Sequence, residues 1–222
     1  MGDQTVWDGV DNYFAQHLLG KDQGLAAAAA ASDAAGLPQI AVSPLQGRFL
    51  QLLAISIRAR NVLEIGTLGG YSTICLARGV GPEGRVVSLE YEPRHAEVAS
   101  SSIAAAGLSG VVDIRVGRAL DLLPRVEADG IGPFDLVFVD ADKQSNADYL
   151  QWAIRLAHPG AVIVVDNVVR GGAVGDPDSS SQDVLGTRRM FDLIEGNERL
   201  EATAIQTVGA KGYDGFLYAV VR

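Results

Sequence analysis

The chain has one cysteine, Cys75, among 222 residues. An internal disulfide is therefore excluded, and a reducing compartment is expected. Cys75 lies in the apolar helical pattern Ser72 to Ala77, the setting of a buried, inert thiol. Positive charge is also short: 18 Lys and Arg stand against 27 Asp and Glu, a net charge of −9. Nucleic acid is not an expected partner, because binding phosphate requires a basic surface. No run approaches the roughly 18–20 apolar residues that span a bilayer. The alanine-rich stretch Leu25 to Ala31 is short and flanked by Asp22 and Asp33, so it reads as a helix. The acidic start Met1-Gly2-Asp3-Gln4 lacks the apolar core of a signal peptide. A cytoplasmic protein without a membrane partner is expected, and no linker or internal repeat divides residues 1–222.

What is present is an alternation of strands and helices. Val10, Tyr13, Phe14, Leu18 and Leu19 recur at helical spacing, and a second helix covers Gly24 to Ala35. After the break at Gly36-Leu37-Pro38, Ser43-Pro44 starts a helix through Leu45 to Arg60. Residues 1–60 read as a helical cap over a sheet edge, with amphipathic helices that could meet a second copy. From Asn61 to the end, strands at 62–65, 85–90, 112–116, 134–139 and 161–165 alternate with helices. Two last strands, 202–208 and 216–221, flank Gly209 to Gly215, which reads as a hairpin loop. The pattern predicts one α/β domain with a mainly parallel sheet.

Two strands end in acids. Phe134 to Val139 runs into Asp140, and Ala161 to Val165 runs into Asp166-Asn167. Both runs are continuously apolar, as strands buried on two faces are. Their carboxyl ends should share one edge of the sheet, where open α/β sheets bind ligands. Two carboxylates and an amide oxygen there make a hard-cation site, with Lys143 close behind the first. Asp142 reads equally as an outer group of that site or as a solvent-facing acid. The polar, glycine-rich loop 169–182 is expected to move. His17, His95 and His158 read as structural, and Tyr149 and Trp152 as packing residues.

The first strand of the alternation leads into Glu64-Ile65-Gly66-Thr67-Leu68-Gly69-Gly70-Tyr71-Ser72. The glycines permit a tight turn and close approach of a ligand, and the helix that follows offers free N–H groups. The spacing is not G-x-G-x-x-G, and Glu64 would repel a pyrophosphate but welcome an ammonium. Glu90 ends the second strand, where an acid can hold both hydroxyls of a ribose.

Val62 to Ser72, together with Asp140-Ala141-Asp142-Lys143 and Asp166-Asn167, resembles the metal-dependent class I O-methyltransferases, which include catechol and caffeoyl-coenzyme A O-methyltransferases. The resemblance runs from about Val42 to the C-terminus. It implies a Rossmann-like seven-stranded sheet of order 3-2-1-4-5-7-6, strand seven antiparallel, with helices on both faces. It also implies S-adenosylmethionine as methyl donor and a divalent cation, usually Mg2+, with Mn2+ or Ca2+ as substitutes. Glu64, Gly66, Thr67 and Ser72 would hold the methionine part, with Val42 closing over it and Asp140 nearby. Glu90 would take the ribose, and Ala119 would lie by the adenine. Asp140, Asp166 and Asn167 would ligate the metal and leave about three positions for water or a vicinal diol. A bound cation lowers a hydroxyl pKa, so Asp140 and Lys143 are the expected catalytic residues, Lys143 as base or as the cation beside an oxyanion. The acceptor would be a small hydroxylated aromatic, and relatives of this kind are often homodimers. In the larger family a tyrosine commonly stands three positions after the lysine. Here Gln144 to Asp148 intervene before Tyr149, so a longer loop is expected. The rivals are a metal-independent methyltransferase, a nicotinamide-dependent oxidoreductase and a non-catalytic adenosylmethionine-binding module.

Overall fold

The computed structural model describes residues 4–222. Three helices come first, α1 (Gln4–Leu18), α2 (Gln23–Ala34) and α3 (Pro44–Ser56). The alternation follows as β1 (Asn61–Ile65), α4 (Tyr71–Val80), β2 (Arg85–Glu90), α5 (Pro93–Ala105), β3 (Val112–Val116), α6 (Ala119–Ala128), β4 (Phe134–Val139), α7 (Asn146–Leu156) and β5 (Ala157–Asp166). The chain closes with α8 (Gln182–Ile194), β6 (Leu200–Gly209) and β7 (Gly212–Val221). The strands form one sheet of order β3-β2-β1-β4-β5-β7-β6, with β7 antiparallel to both its neighbours. The expected architecture is the observed one.

The unbroken apolar runs are explained by a sheet covered on both faces. Leu136 and Phe138 of β4 point into a core with Leu50, Leu53 and Ala54 of α3 and Leu76 and Val80 of α4. The alternate residues Val137 and Val139 face a second core built with Leu122 and Leu123 of α6, Leu150 and Ile154 of α7 and Met190 of α8. The central part of β4 therefore needs apolar side chains on both faces. Among the described residues no helix is long and apolar enough to cross a membrane.

Three expectations change. Helix α3 belongs to a core layer of the sheet, because its Leu50 and Ala54 are completely covered; only α2 and the segment ahead of α3 overhang the sheet edge. The final hairpin is tighter than expected: Gly209 pairs with Gly212, leaving Ala210 and Lys211 as its turn. Gly212 at φ +87 makes so short a turn possible. Finally, no long loop follows Lys143. A 3-10 turn, Lys143–Ser145, runs directly into α7 at Asn146.

Helix α1 buries no residue. Val10, Tyr13, Phe14 and Leu18 are exposed along it, as are Leu52 and Ile55 of α3 and Ile205 and Val208 of β6. The α1 helix is held to the hairpin by Gln4 Nε2, which donates to the Gly209 carbonyl at 2.9 Å, and by Asp11, whose Oδ2 accepts from the Ala210 amide at 2.7 Å.

Candidate active site

A cleft of about 1130 Å³ opens along the carboxyl ends of β1, β2, β4 and β5. At one end its wall carries Glu90, His95 and Ala119; at the other it carries Asp140, Lys143, Asn167 and Arg170. The strand order reverses between β1 and β4, and that crevice is where an open α/β sheet leaves room for a ligand.

The turn after β1 is shaped by contact with β4. Gly66 has φ +104, and a Cβ there would come within 2.2 Å of the Asp140 carbonyl oxygen. The Asp140 amide donates to the Ile65 carbonyl at 2.8 Å. Only glycine fits the position, and this close crossing draws the β4 carboxylate toward the glycine turn. Thr67 is buried, with its amide donating to Glu90 Oε2 at 3.0 Å. The Leu68 amide donates to the same oxygen at 2.8 Å, and the Glu92 amide to Oε1 at 2.9 Å. Three backbone donors thus hold the Glu90 carboxylate in place. His95 Nδ1 lies 3.3 Å from Glu90 Oε1. A histidine read from sequence as structural therefore stands in the cleft wall. Its position one turn into α5 was visible, but its partner was not.

Gly66, Thr67, Ser72, Glu90, Ala119, Asp140 and Val42 all line the cleft. Glu64 is not among the lining residues but bonds to one of them, Ser72. Its carboxylate is fully buried beneath the turn, where Oε1 accepts from Ser72 Oγ and Oε2 from Ser88 Oγ, both at 2.6 Å, and Thr73 Oγ1 donates to Oε2 as well. Oε1 is thus tied to a cleft-lining residue, Ser72, and Oε2 to Thr73 and Ser88. Glu64 shapes the turn and holds the start of α4. Burial pushes its carboxyl up to about 7, against the pull of the three hydroxyls.

At the other end, Lys143 Nζ donates to Asp140 Oδ1 at 2.8 Å, and the lysine is buried. Helix α8 presses on this turn through Gly186, where a Cβ would meet the Lys143 carbonyl oxygen at 2.3 Å. Asp142 is engaged by neighbours: its Oδ1 accepts from Tyr149 Oη and its Oδ2 from Ser145 Oγ. Tyr149 packs its ring in the core and brings its hydroxyl to the cleft.

Asp166 is 5% exposed and lies behind Asp140 and Asn167 rather than in the cleft wall. Burial, and then the charge of Asp140, push its carboxyl up to about 6, while Lys143 pulls it down. Gln46 Nε2 donates to Asp166 Oδ2 at 2.6 Å, and the Asn167 amide to Oδ1 at 2.9 Å. Gln46 was not singled out in the sequence, and nothing local to it could have shown the contact. Among the described residues no three His, Cys, Asp or Glu side chains gather as a metal cluster. The donors present, two facing carboxylates and the Asn167 amide, still fit a hard cation: the carboxylates repel one another, and positive charge between them would relieve the repulsion.

Residues 23–215 match the profile of a family described as O-methyltransferase. The chain is 59% identical over 213 residues to the catechol O-methyltransferase of Mycobacterium tuberculosis, covering 96% of this chain and 95% of that protein. A crystal structure of the O-methyltransferase from Bacillus cereus in complex with SAH is 51% identical and superposes with a TM-score of 0.97, over 99% of this chain and 100% of that one. The O-methyltransferase TomG from Streptomyces achromogenes, involved in tomaymycin synthesis and solved in complex with SAM, is 51% identical with a TM-score of 0.95, over 100% and 99% of the two chains.

Proposed function

The chain belongs to the O-methyltransferase family, and on that premise we propose that it transfers the methyl group of S-adenosylmethionine to a hydroxyl of a small vicinal-diol aromatic, with a divalent cation at Asp140, Asp166 and Asn167. One observation carries this assignment: Asp140, Asn167 and Lys143, with Asp166 buried next to Asn167, stand at the end of the same cleft whose other end holds Glu90 on three backbone amides. The liganded relatives and the catechol O-methyltransferase identity support the donor and the acceptor class.

Each residue then has a task. Glu90 accepts hydrogen bonds from ribose hydroxyls, and its fixed carboxylate needs no rearrangement to do so. Ala119, small and at the start of α6, leaves room for a flat base. Gly66, Thr67 and Ser72 present the turn to the methionine part, Asp140 is the carboxylate open to its ammonium, and Val42 covers it. A bound Mg2+, or Mn2+ or Ca2+ in its place, would lower the pKa of the acceptor hydroxyl and fix its orientation. Lys143 Nζ, held by Asp140, receives the hydroxyl proton or stands as the cation beside the oxygen it leaves. In-line alignment of oxygen, methyl carbon and sulfur supplies most of the remaining acceleration.

The exposed apolar residues of α1, α3 and β6 support a homodimer, since α1 buries nothing within one chain. Helix α1 would then supply the subunit contact, and α2 with the segment ahead of α3 the lid.

Methyl transfer to catechol, assayed with chelator and again after Mg2+ is restored, tests the function. Loss and recovery of turnover are expected. Undiminished turnover in chelator would leave a metal-independent methyltransferase, and no turnover of any diol would remove the acceptor class.

A further inference from the structure

We infer that the acceptor carries a carboxylate in addition to its diol, and that Arg170 is the residue that receives it. This rests on the proposed methyl transfer to a vicinal diol. Arg170 lines the cleft three residues after Asn167, so it stands in the acceptor half. Its backbone is in the left-handed region at φ +55, and Gly171 and Gly172 follow at φ +65 and +96. A non-glycine residue is held there only when its surroundings over-determine the geometry, and such places concentrate at ligand sites.

The surroundings do over-determine it. Asp214, on the strand after the hairpin turn, accepts from both the Val169 and the Arg170 amides at 3.0 Å through Oδ1. The same hairpin turn brings Lys211 into the cleft wall. Lys211 has no carboxylate partner among the described residues; its Nζ donates to the Gln39 carbonyl at 3.0 Å.

The Arg170 side chain is only partly engaged. One nitrogen, Nη2, meets Asp183 Oδ2 at 3.1 Å, and both side chains keep about a third of their surface exposed, 30% and 37%. Nε and Nη1 have no partner among the described residues. A guanidinium offers five donors in a planar fork matched to a carboxylate, so this one is aimed by Asp183 and still free to bind. The other acceptor-half carboxylates are committed elsewhere: Asp140 to Lys143, Asp142 to Tyr149 and Ser145, and Asp166 to Gln46. A neutral catechol would leave the Arg170 fork unused; the carboxylate of a dihydroxybenzoate would fill it.

The test compares 3,4-dihydroxybenzoate with its neutral amide, 3,4-dihydroxybenzamide, by kcat/KM in the wild type, Arg170→Gln and Arg170→Glu. The wild type should prefer the acid by about tenfold or more, the effect of one charge-assisted contact. Arg170→Gln should bring the ratio near one through KM for the acid. Arg170→Glu should favour 3,4-dihydroxybenzylamine instead. S-adenosylmethionine affinity, measured by calorimetry, reports whether each variant remains folded. A wild-type ratio near one, a preference for the amine, or a ratio unmoved in Arg170→Gln would overturn the inference while leaving diol methylation intact. Failure to methylate any of the three acceptors would instead refute the underlying function.

Discussion

Gln46 and Asp166, 120 residues apart in the chain, are joined by a 2.6 Å hydrogen bond from the Gln46 side-chain amide to Oδ2 of the carboxylate. The bond fixes which way a buried acid at the end of β5 presents its other oxygen. Helix α3, whose first residue Pro44 borders the cleft, therefore also takes part in the proposed metal site. Partners of this kind orient ligands, and losing one typically costs about 10- to 100-fold in metal affinity. Gln46→Ala should raise the Mg2+ concentration needed for half-maximal turnover by about tenfold or more, with maximal turnover largely recovered at saturating Mg2+. An unchanged Mg2+ titration would show that Asp166 is held without it.

Lys143 should act on the rate more than on binding. Lys143→Ala is expected to lower kcat about 100-fold, the scale of a lost general base or charge stabiliser, with a smaller change in acceptor KM. Lys143→Arg separates the two roles, because guanidinium keeps the charge but cannot accept a proton near neutral pH. Partial activity in the arginine variant would assign Lys143 the electrostatic role; a loss equal to that of alanine would favour proton transfer.

Gly186 sets how closely α8 approaches the turn that carries Lys143. The Cβ of Gly186→Ala would lie 2.3 Å from the Lys143 carbonyl oxygen and 2.6 Å from Gln144 Cα, both main-chain atoms that cannot simply rotate away. A loss of about 2 kcal/mol in urea unfolding is expected, within the usual cost of overpacking. Turnover should fall further than stability accounts for, because the Lys143 backbone must shift. A stable variant with full kcat would mean that the turn gives way without moving the amine.

Glu64 gives stability a pH dependence of identifiable sign. Its carboxyl rises to about 7 in the folded protein from an ordinary 4.5, so the native state binds the proton more tightly than the unfolded chain. The stability that proton contributes is complete below about 4.5, declines as pH rises, and is gone above about 7; the whole effect is on the order of 3 kcal/mol. Glu64→Gln cannot ionise and should flatten this decline. Urea unfolding at a series of pH values checks it, and equal slopes in the two proteins would place the titration elsewhere.

The apolar side of α1 should hold two copies together. Val10→Asp combined with Phe14→Asp puts charge at two exposed positions of α1, and sedimentation should then report a monomer where the unaltered chain sediments as a dimer. A monomer in both cases would remove the dimer.

The middle of the sheet was legible because β4 and the second half of β5 bury two faces, so Val, Phe and Ile fill successive positions and stand out as unbroken runs. The turn at Gly66 and the strand-end acids were legible for a related reason: they are local, each set by residues within a few positions. What the sequence hid was placement across the chain. Glu64 is placed by its distance from the glycines, but its bonds to Ser72 of α4 and Ser88 of β2 are visible only in the fold. His95 reads as a surface helix residue until β2 brings Glu90 beside it. Gln46 and Arg170 gain their meaning from partners in other elements, Asp166 and Asp214.

The contact between Lys211 and Gln39 links the last turn of the chain to the segment ahead of α3 across the mouth of the cleft. One segment borders the acceptor half and the other leads to Val42 over the donor half, so this one hydrogen bond joins the two parts of the rim. Exchanging this hairpin between relatives would carry that join along with it.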